Sequence, residues 1–186
     1  LVGSEVIKPA YCKMKVGALL TNLLEGRVKK DRPLRYISGN VLTGNQVKPN
    51  GYLGAFATEV TVIPEGSDVH EMLGWIMPRF DQFSVNRSYF SWLLGKNRQY
   101  DLDARIKGGE RHMIMSNEYD KVFPMDILPE YLVKAIIAGD IDRMEALGIY
   151  EVAPEDFALC EFVDSSKLEL QRIVRSGLDT LRAEMC

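Results

Sequence analysis

Cys160 is where this sequence comes nearest to a recognisable piece of redox chemistry. It stands in APEDFALCEFVDSSKLE, residues 153–169. Bacterial ferredoxins hold their clusters with a C-x2-C-x2-C-x3-C-P run, because each iron needs thiolate sulfur. With Cys160 as the third ligand, the first position falls on Pro154, the second on Phe157 and the fourth on Asp164, with Ser165 in place of the closing proline. Pro154 and Phe157 cannot ligate metal, and the Asp164 carboxylate is a hard donor poorly matched to iron–sulfur chemistry. A lone thiolate cannot hold a cluster. The residues therefore predict no metal here, and they cast Cys160 as a small apolar side chain packed in a helix turn.

Other chemistry-bearing residues are sparse. His70 and His112 are the two histidines, and neither stands at zinc-ligand spacing from a cysteine or from the other. Both read as surface or hydrogen-bonded histidines, and the polar turn SDVHEML places His70 at the surface. ISGNVLTGNQVKPNG is glycine-rich but lacks the lysine and Ser/Thr of a phosphate loop and does not match G-x-G-x-x-G, so it reads as a bent strand and loop. Asp140 and Asp142 in GDIDR lack the glycine and glutamate of a calcium loop, and helix capping explains them better. No nucleophile–base motif such as G-x-S-x-G is present, so hydrolysis is not indicated. The run LGWIMPRFDQFSVNRSYFSWLLG carries Trp75, Phe80, Phe83, Tyr89, Phe90 and Trp92, flanked by Arg79 and Arg87. It has two readings. One is a docking surface for a partner protein or an apolar cleft, since aromatics, Met and Arg are enriched at interface cores. The other, which we expect, is filling of the core between the two halves of the chain.

The elements that position these residues fall into two compositional halves, joined by YDKVFPMDILP with its two prolines. Residues 1 to about 118 are rich in Gly, Val/Ile/Thr and aromatics. Leu19, Leu20, Leu23 and Leu24 line one face of a short helix that Gly26 can stop. LRYISGNVLTG reads as a strand bent at Gly39, TEVTVI as an alternating strand, and YDLDARIKGGERHMIM as a hairpin around Gly108–Gly109.

From about residue 125 the pattern is helical. Pro129 suits an N1 position and Gly139 a C′ stop. Asp140 can cap a second helix that Gly148 ends. Pro154, Glu155 and Asp156 form a first turn favoured by the helix dipole, and Ser166 with Glu169 predicts a capping box for a last helix. The last helix has one apolar stripe of Leu170, Ile173, Val174, Leu178 and Leu181. The resulting fold class is α+β. It comprises a β-grasp-like unit over residues 1–50, a β-rich segment with a hairpin over 51–120, and a small helical bundle over 121–186.

Composition narrows the class further. The 186 residues are 46% hydrophobic and 26% charged, as in an ordinary folded chain. A net charge of −3 gives no basic footprint, so nucleic acid is not an expected partner. Cys12, Cys160 and Cys186 are widely separated and read as reduced thiols of a cytosolic protein. No apolar run approaches a membrane span. The start at Leu1 suggests a piece of a longer protein.

Whole phrases of the sequence resemble one family. RYISGNVLTG, GYLGAFATEVTVIPEG, LGWIMPRFDQFSVNRSYFSWL, VFPMDILP, MEALGIYEVAPEDFALCEF and SSKLELQRIVRSGL follow in this order along nearly the whole chain. Together they resemble the C-terminal part of the A subunit of the bacterial Na+-translocating NADH:quinone reductase. That family is itself similar to the C subunit of the Rnf complex and to the flavin subunit of respiratory complex I. The resemblance implies a β-grasp domain of the soluble-ligand-binding kind and a helical domain whose relatives hold an iron–sulfur cluster. Cys160 would then be the remnant of that motif, and Asp164 would stand at a lost ligand position. It also implies a peripheral component on the cytoplasmic face of the bacterial inner membrane, in a sodium-pumping oxidoreductase that passes electrons from NADH to ubiquinone. No catalytic residue, metal or cofactor is expected in this chain. Flavins and the iron–sulfur centre are expected in partner subunits, and the other subunits, with ubiquinone as a candidate contact, are the expected partners. Alone, the chain is expected to be inactive, with a docking role in the complex. The rival reading is a stand-alone soluble-ligand-binding β-grasp module with no redox role.

Overall fold

A computed structural model describes residues 1–69, 77–85, 87–95 and 97–185. The fold is α+β, with a small antiparallel sheet near the N-terminus and its longer helices toward the C-terminus. The chain forms two compact units, Leu1–Arg105 and Ile106–Cys186.

In the first unit, α1 (Thr21–Leu24) is a single turn followed by Gly26 in the left-handed region. Three strands follow, β1 (Leu34–Ser38), β2 (Asn45–Val47) and β3 (Val60–Pro64), in the order β2-β1-β3, with Tyr36 opposite Val47 on one side and Val62 on the other. β1 ends where Gly39 takes a φ of 108°, and Asn40 organises the return: its side-chain oxygen accepts from the N–H groups of Leu42 and Thr43, both at 2.8 Å. The glycine-rich stretch is thus a bent strand and an Asx-stabilised loop.

The outer edge of β3 is covered by the chain's own first residues. Val2 N–H donates to Val60 O, and Val62 N–H donates to Val2 O, both at 2.9 Å. Gly3 makes this possible, since its φ is 122° and a Cβ there would collide with the Val62 backbone. Leu20, the residue capping α1, and Leu23 and Leu24 within it pack with Val6, Val28, Val60 and Val62 into this unit's core. Among the described residues, no strand forms beyond Pro64. The hairpin expected around Gly108–Gly109 is absent because its two arms bond elsewhere. Ala104 N–H donates to Pro64 O at 3.0 Å, whereas Arg111 N–H donates to Ser166 O at 2.8 Å.

In the second unit, α2 (Pro129–Ala138) starts with proline at its first position and ends on left-handed Gly139, whose N–H reaches back to Ile136 O. α3 (Ile141–Ala146) is capped by the Asp140 carboxylate, which accepts from Arg143 N–H at 3.1 Å. A 3₁₀ turn over Pro154–Phe157 leads into α4 (Ala158–Val163), and α5 (Leu170–Glu184) closes the bundle. The α5 stripe lies as its spacing predicts. Leu170, Val174 and Leu181 are buried, with Ile173 and Leu178 packed at the margin, against Leu132, Ile136, Ile149 and Phe157. Gly177 lets α5 approach α2 closely, since a Cβ there would lie 2.9 Å from Ile136 Cγ2. The expected Ser166/Glu169 capping box does not form. α5 begins later, at Leu170, because the Asp164 carboxylate binds the intervening N–H groups and holds residues 164–168 in a loop.

Candidate functional site

The positions singled out around Cys160 come together in the second unit. Asp156 completes the turn entering α4, its carboxylate accepting from Ala153 N–H at 2.7 Å. One turn later Cys160 is fully buried, with its Sγ 4.0 Å from Tyr119 O. Burial, then the negative charge of Asp120, pushes its thiol up to about 12. It is therefore a neutral thiol at neutral pH, and a metal ligand must be a thiolate. Pro154 is buried, and the fully buried Phe157 ring packs 4.8 Å from that of Phe123. Asp164 is 2% exposed, and both of its oxygens are taken by the backbone: Ser166 N–H donates at 3.0 Å and Leu168 N–H at 2.8 Å. Ser165 is exposed. The donor set thus has one protonated thiol, two side chains without donors, and a carboxylate acting as a loop clamp. It does not fit an iron–sulfur cluster. Among the described residues, no three His, Cys, Asp or Glu side chains converge as a metal site.

Sequence reasoning missed the polar groups around this thiol. Glu130, in the first turn of α2, is only 2% exposed. One carboxylate oxygen accepts from Ser116 N–H at 3.2 Å and from Ser116 Oγ at 3.3 Å, while the other is buried without a hydrogen-bond partner among the described residues. The Tyr119 hydroxyl is likewise buried, near the Asp164 carboxylate but without a well-formed hydrogen bond to it. Burial, and after it the charge of Asp164, raises its phenol well above the ordinary range. Ser166 is fully buried and its Oγ accepts from Ile114 N–H at 3.3 Å. A glutamate just inside a helix start reads from sequence as a solvated dipole partner, so no local signal marks Glu130 as buried. Chemically, burial first and the surrounding acids after it keep the thiol protonated; the acids form no nucleophile–base pair with it. His112, the histidine of this unit, is exposed, and His70 lies outside the described residues, as do Trp75 and Cys186.

The described residues of the aromatic segment belong to the first unit, and their rings lie outside that unit's own hydrophobic core. Phe80, Phe83, Phe90 and Trp92 are each close to half exposed, and neither hydrophobic core includes them. Hydrogen bonds and ring contacts tie the segment's described residues together. Phe90 N–H donates to Pro78 O at 2.9 Å, closing the loop, and Ser84 Oγ accepts from Ser88 N–H at 2.8 Å. Phe80 and Phe90 pair at 6.2 Å, and Phe83 meets Tyr100 edge-on at 5.8 Å. Each arginine lies over a ring: Arg79 on Tyr89, Arg87 on Trp92 and Arg98 on Tyr100.

Comparisons with known proteins agree along the chain. Residues 1–49 match the family model described as the NQRA C-terminal domain. Over 99% of its length the chain is 40% identical to the A subunit of the Na(+)-translocating NADH-quinone reductase of Rhodopirellula baltica, and equally so to that of Serratia proteamaculans. Identity to the Vibrio atlanticus protein of that name is 37% over the same share. The chain spans about two fifths of the length of these relatives, 40% of the first two and 41% of the third.

Proposed function

We infer that this chain is part of the A subunit of a Na+-translocating NADH:quinone reductase and that its role there is structural. It holds and docks other subunits of the complex and carries no electrons itself. The observation that carries the reading is sequence identity of 40% running through both compact units and covering 99% of the chain. The chemistry of the helical unit supports it, since a buried neutral thiol beside two buried carboxylates suits packing and not electron transfer. On this reading Cys160 is the remnant of an iron–sulfur motif and Asp164 occupies a former ligand position. The flavins and the iron–sulfur centre reside in partner subunits. Residues 1–50 form part of a β-grasp-like domain, whose core also takes in Val60 and Val62 from the segment that follows. The β-rich segment over residues 51–120 adds β3 to that domain's sheet, and residues 121–186 form the helical bundle. The complex transfers electrons from NADH to ubiquinone and exports sodium ions, and this component sits peripherally on the cytoplasmic face. No described helix is long and apolar enough to cross a membrane, consistent with a peripheral position. Half-exposed rings between residues 77 and 100 offer a surface for partner subunits and a candidate contact for ubiquinone.

The test is affinity purification of the full-length protein from native membranes, with and without the region spanned by this chain. The intact protein should bring down the flavin-bearing subunits, and removal of this region should abolish their recovery. Normal recovery after removal would overturn the docking role. A thermal-shift series on this chain separates the rival reading: stabilisation by cobalamin with none by short-chain quinone would favour a stand-alone ligand binder.

A further inference from the structure

We propose that the loop spanning residues 77–100 is the docking site for an acidic segment of another protein, one that places Asp or Glu beside apolar side chains. This deepens the docking role inferred above and rests on it. Exposed apolar side chains are concentrated in this loop: Phe80 at 45%, Phe90 at 49%, Trp92 at 48% and Leu93 at 59%. Clustered apolar exposure of this kind is a mark of interaction surfaces, and aromatics with arginine dominate binding hot spots.

The arginines identify the occupant. Arg87 lies 5.5 Å from the centre of the Trp92 ring and Arg98 lies 5.8 Å from that of Tyr100. Neither makes an ion pair with a described residue. A guanidinium lying over a ring still presents its N–H edge, which matches a carboxylate bidentately. Stacking also fixes the arginine before the partner arrives, so less side-chain entropy is lost on binding. Arg98 borders an open depression of about 660 Å³, lined also by Leu94, Gly95 and Asn97, where an apolar side chain beside a carboxylate can sit. Within this loop the sequence sets Arg87 and Arg98 against a single acid, Asp81, although the whole chain carries a net charge of −3.

Charge also decides against the alternative occupants. Lipid headgroup recognition uses clusters of roughly four to eight Lys/Arg, and a net-negative chain is repelled by an anionic leaflet. A second copy docked by two-fold symmetry would bring the arginines of one loop against those of the other.

The test places the photo-crosslinker p-benzoylphenylalanine at position 90 of the full-length protein in native membranes, with mass spectrometry of the adducts. The expected product joins this loop to a peptide of a different protein that contains at least two carboxylates. Its yield should fall about tenfold in Arg87→Glu/Arg98→Glu, a change typical of losing a hot-spot contact. It should also fall with the unaltered arginines when salt is raised to roughly 0.5 M, because exposed charges are screened. Adducts to lipid, to a second copy, or to a peptide without carboxylates would overturn the proposal, as would no adduct or a salt-independent yield. If the subunits still co-purify in those cases, the docking role stands and only this assignment falls. If they do not co-purify, both fall.

Discussion

Replacing Cys160 with alanine separates a packing thiol from a ligand, and pH makes the distinction measurable. The folded thiol is pushed from an ordinary 9.0 up to about 12, by burial first and by the charge of Asp120 second. Unfolding returns it to water, where it ionises near 9. The folded state therefore keeps a proton that the unfolded state releases. This contribution to stability is intact below pH 9, declines as pH rises, and is exhausted at about 12. At pH 10 the unfolded thiol is about 90% ionised while the folded one is still largely protonated, so the linkage costs about 1 kcal/mol. The size of that cost is set by the unfolded thiol, provided the folded one stays protonated well above pH 10. Against this, Cys160→Ala at pH 7 loses the packing of one buried sulfur, about 1 kcal/mol. The variant should therefore be about 1 kcal/mol less stable at pH 7 and nearly equal to the parent at pH 10. Urea denaturation followed by far-ultraviolet circular dichroism reads this out, since α2, α3, α4 and α5 all lie in the same unit as Cys160. Tyr119, also raised by burial, titrates in the same direction in both proteins and cancels in the comparison. Thiol labelling gives an independent check: exposed Cys12 should react at once, and Cys160 only as fast as the bundle opens. An equal alkaline loss in both proteins, or labelling of Cys160 as fast as Cys12, would refute the reasoning.

Asp164→Ala leaves the Ser166 and Leu168 N–H groups without their carboxylate and should cost about 1–3 kcal/mol in a denaturant titration. Gly177→Val forces a branched side chain toward Ile136 Cγ2, 2.9 Å from the new Cβ, and should destabilise the bundle by about 2 kcal/mol, read as a lowered midpoint. Gly177→Ala should cost less, because alanine recovers about 1 kcal/mol of helix propensity. Arg35 donates to both oxygens of Glu65, at 2.9 and 2.5 Å, and this pairing holds the Glu65 carboxyl below its ordinary 4.5. Its contribution is present above pH 4.5 and is lost as pH falls through the lowered folded value. Glu65→Gln should therefore flatten the acid limb of the stability curve while costing under about 1 kcal/mol at pH 7.

Much of the helical unit was legible in the sequence, because its signals are local. Pro129, Gly139 and Asp140 each act on backbone groups within a few residues, and each takes the role its type predicts. The α5 stripe follows from a repeat that any helix imposes on its own side chains. Competing hydrogen bonds, distant in one case and local in the other, decided the failures. The GG hairpin lost to partners at Pro64 and Ser166, and the Ser166/Glu169 box lost to a carboxylate lying ahead of it in the chain. For the candidate site, ligand identity could be read from spacing alone, since sulfur is either present at a position or absent.

By itself the sequence determined the donor chemistry around residue 160, the periodic faces of the helices, and the kinship of nearly the whole chain. Tertiary structure decided which polar groups are buried. It placed Glu130 and Tyr119 beside a protonated thiol, and it left the rings of residues 77–100 outward with arginines over them. Periodicity and donor type travel with each residue, whereas burial depends on which distant surfaces come to cover it.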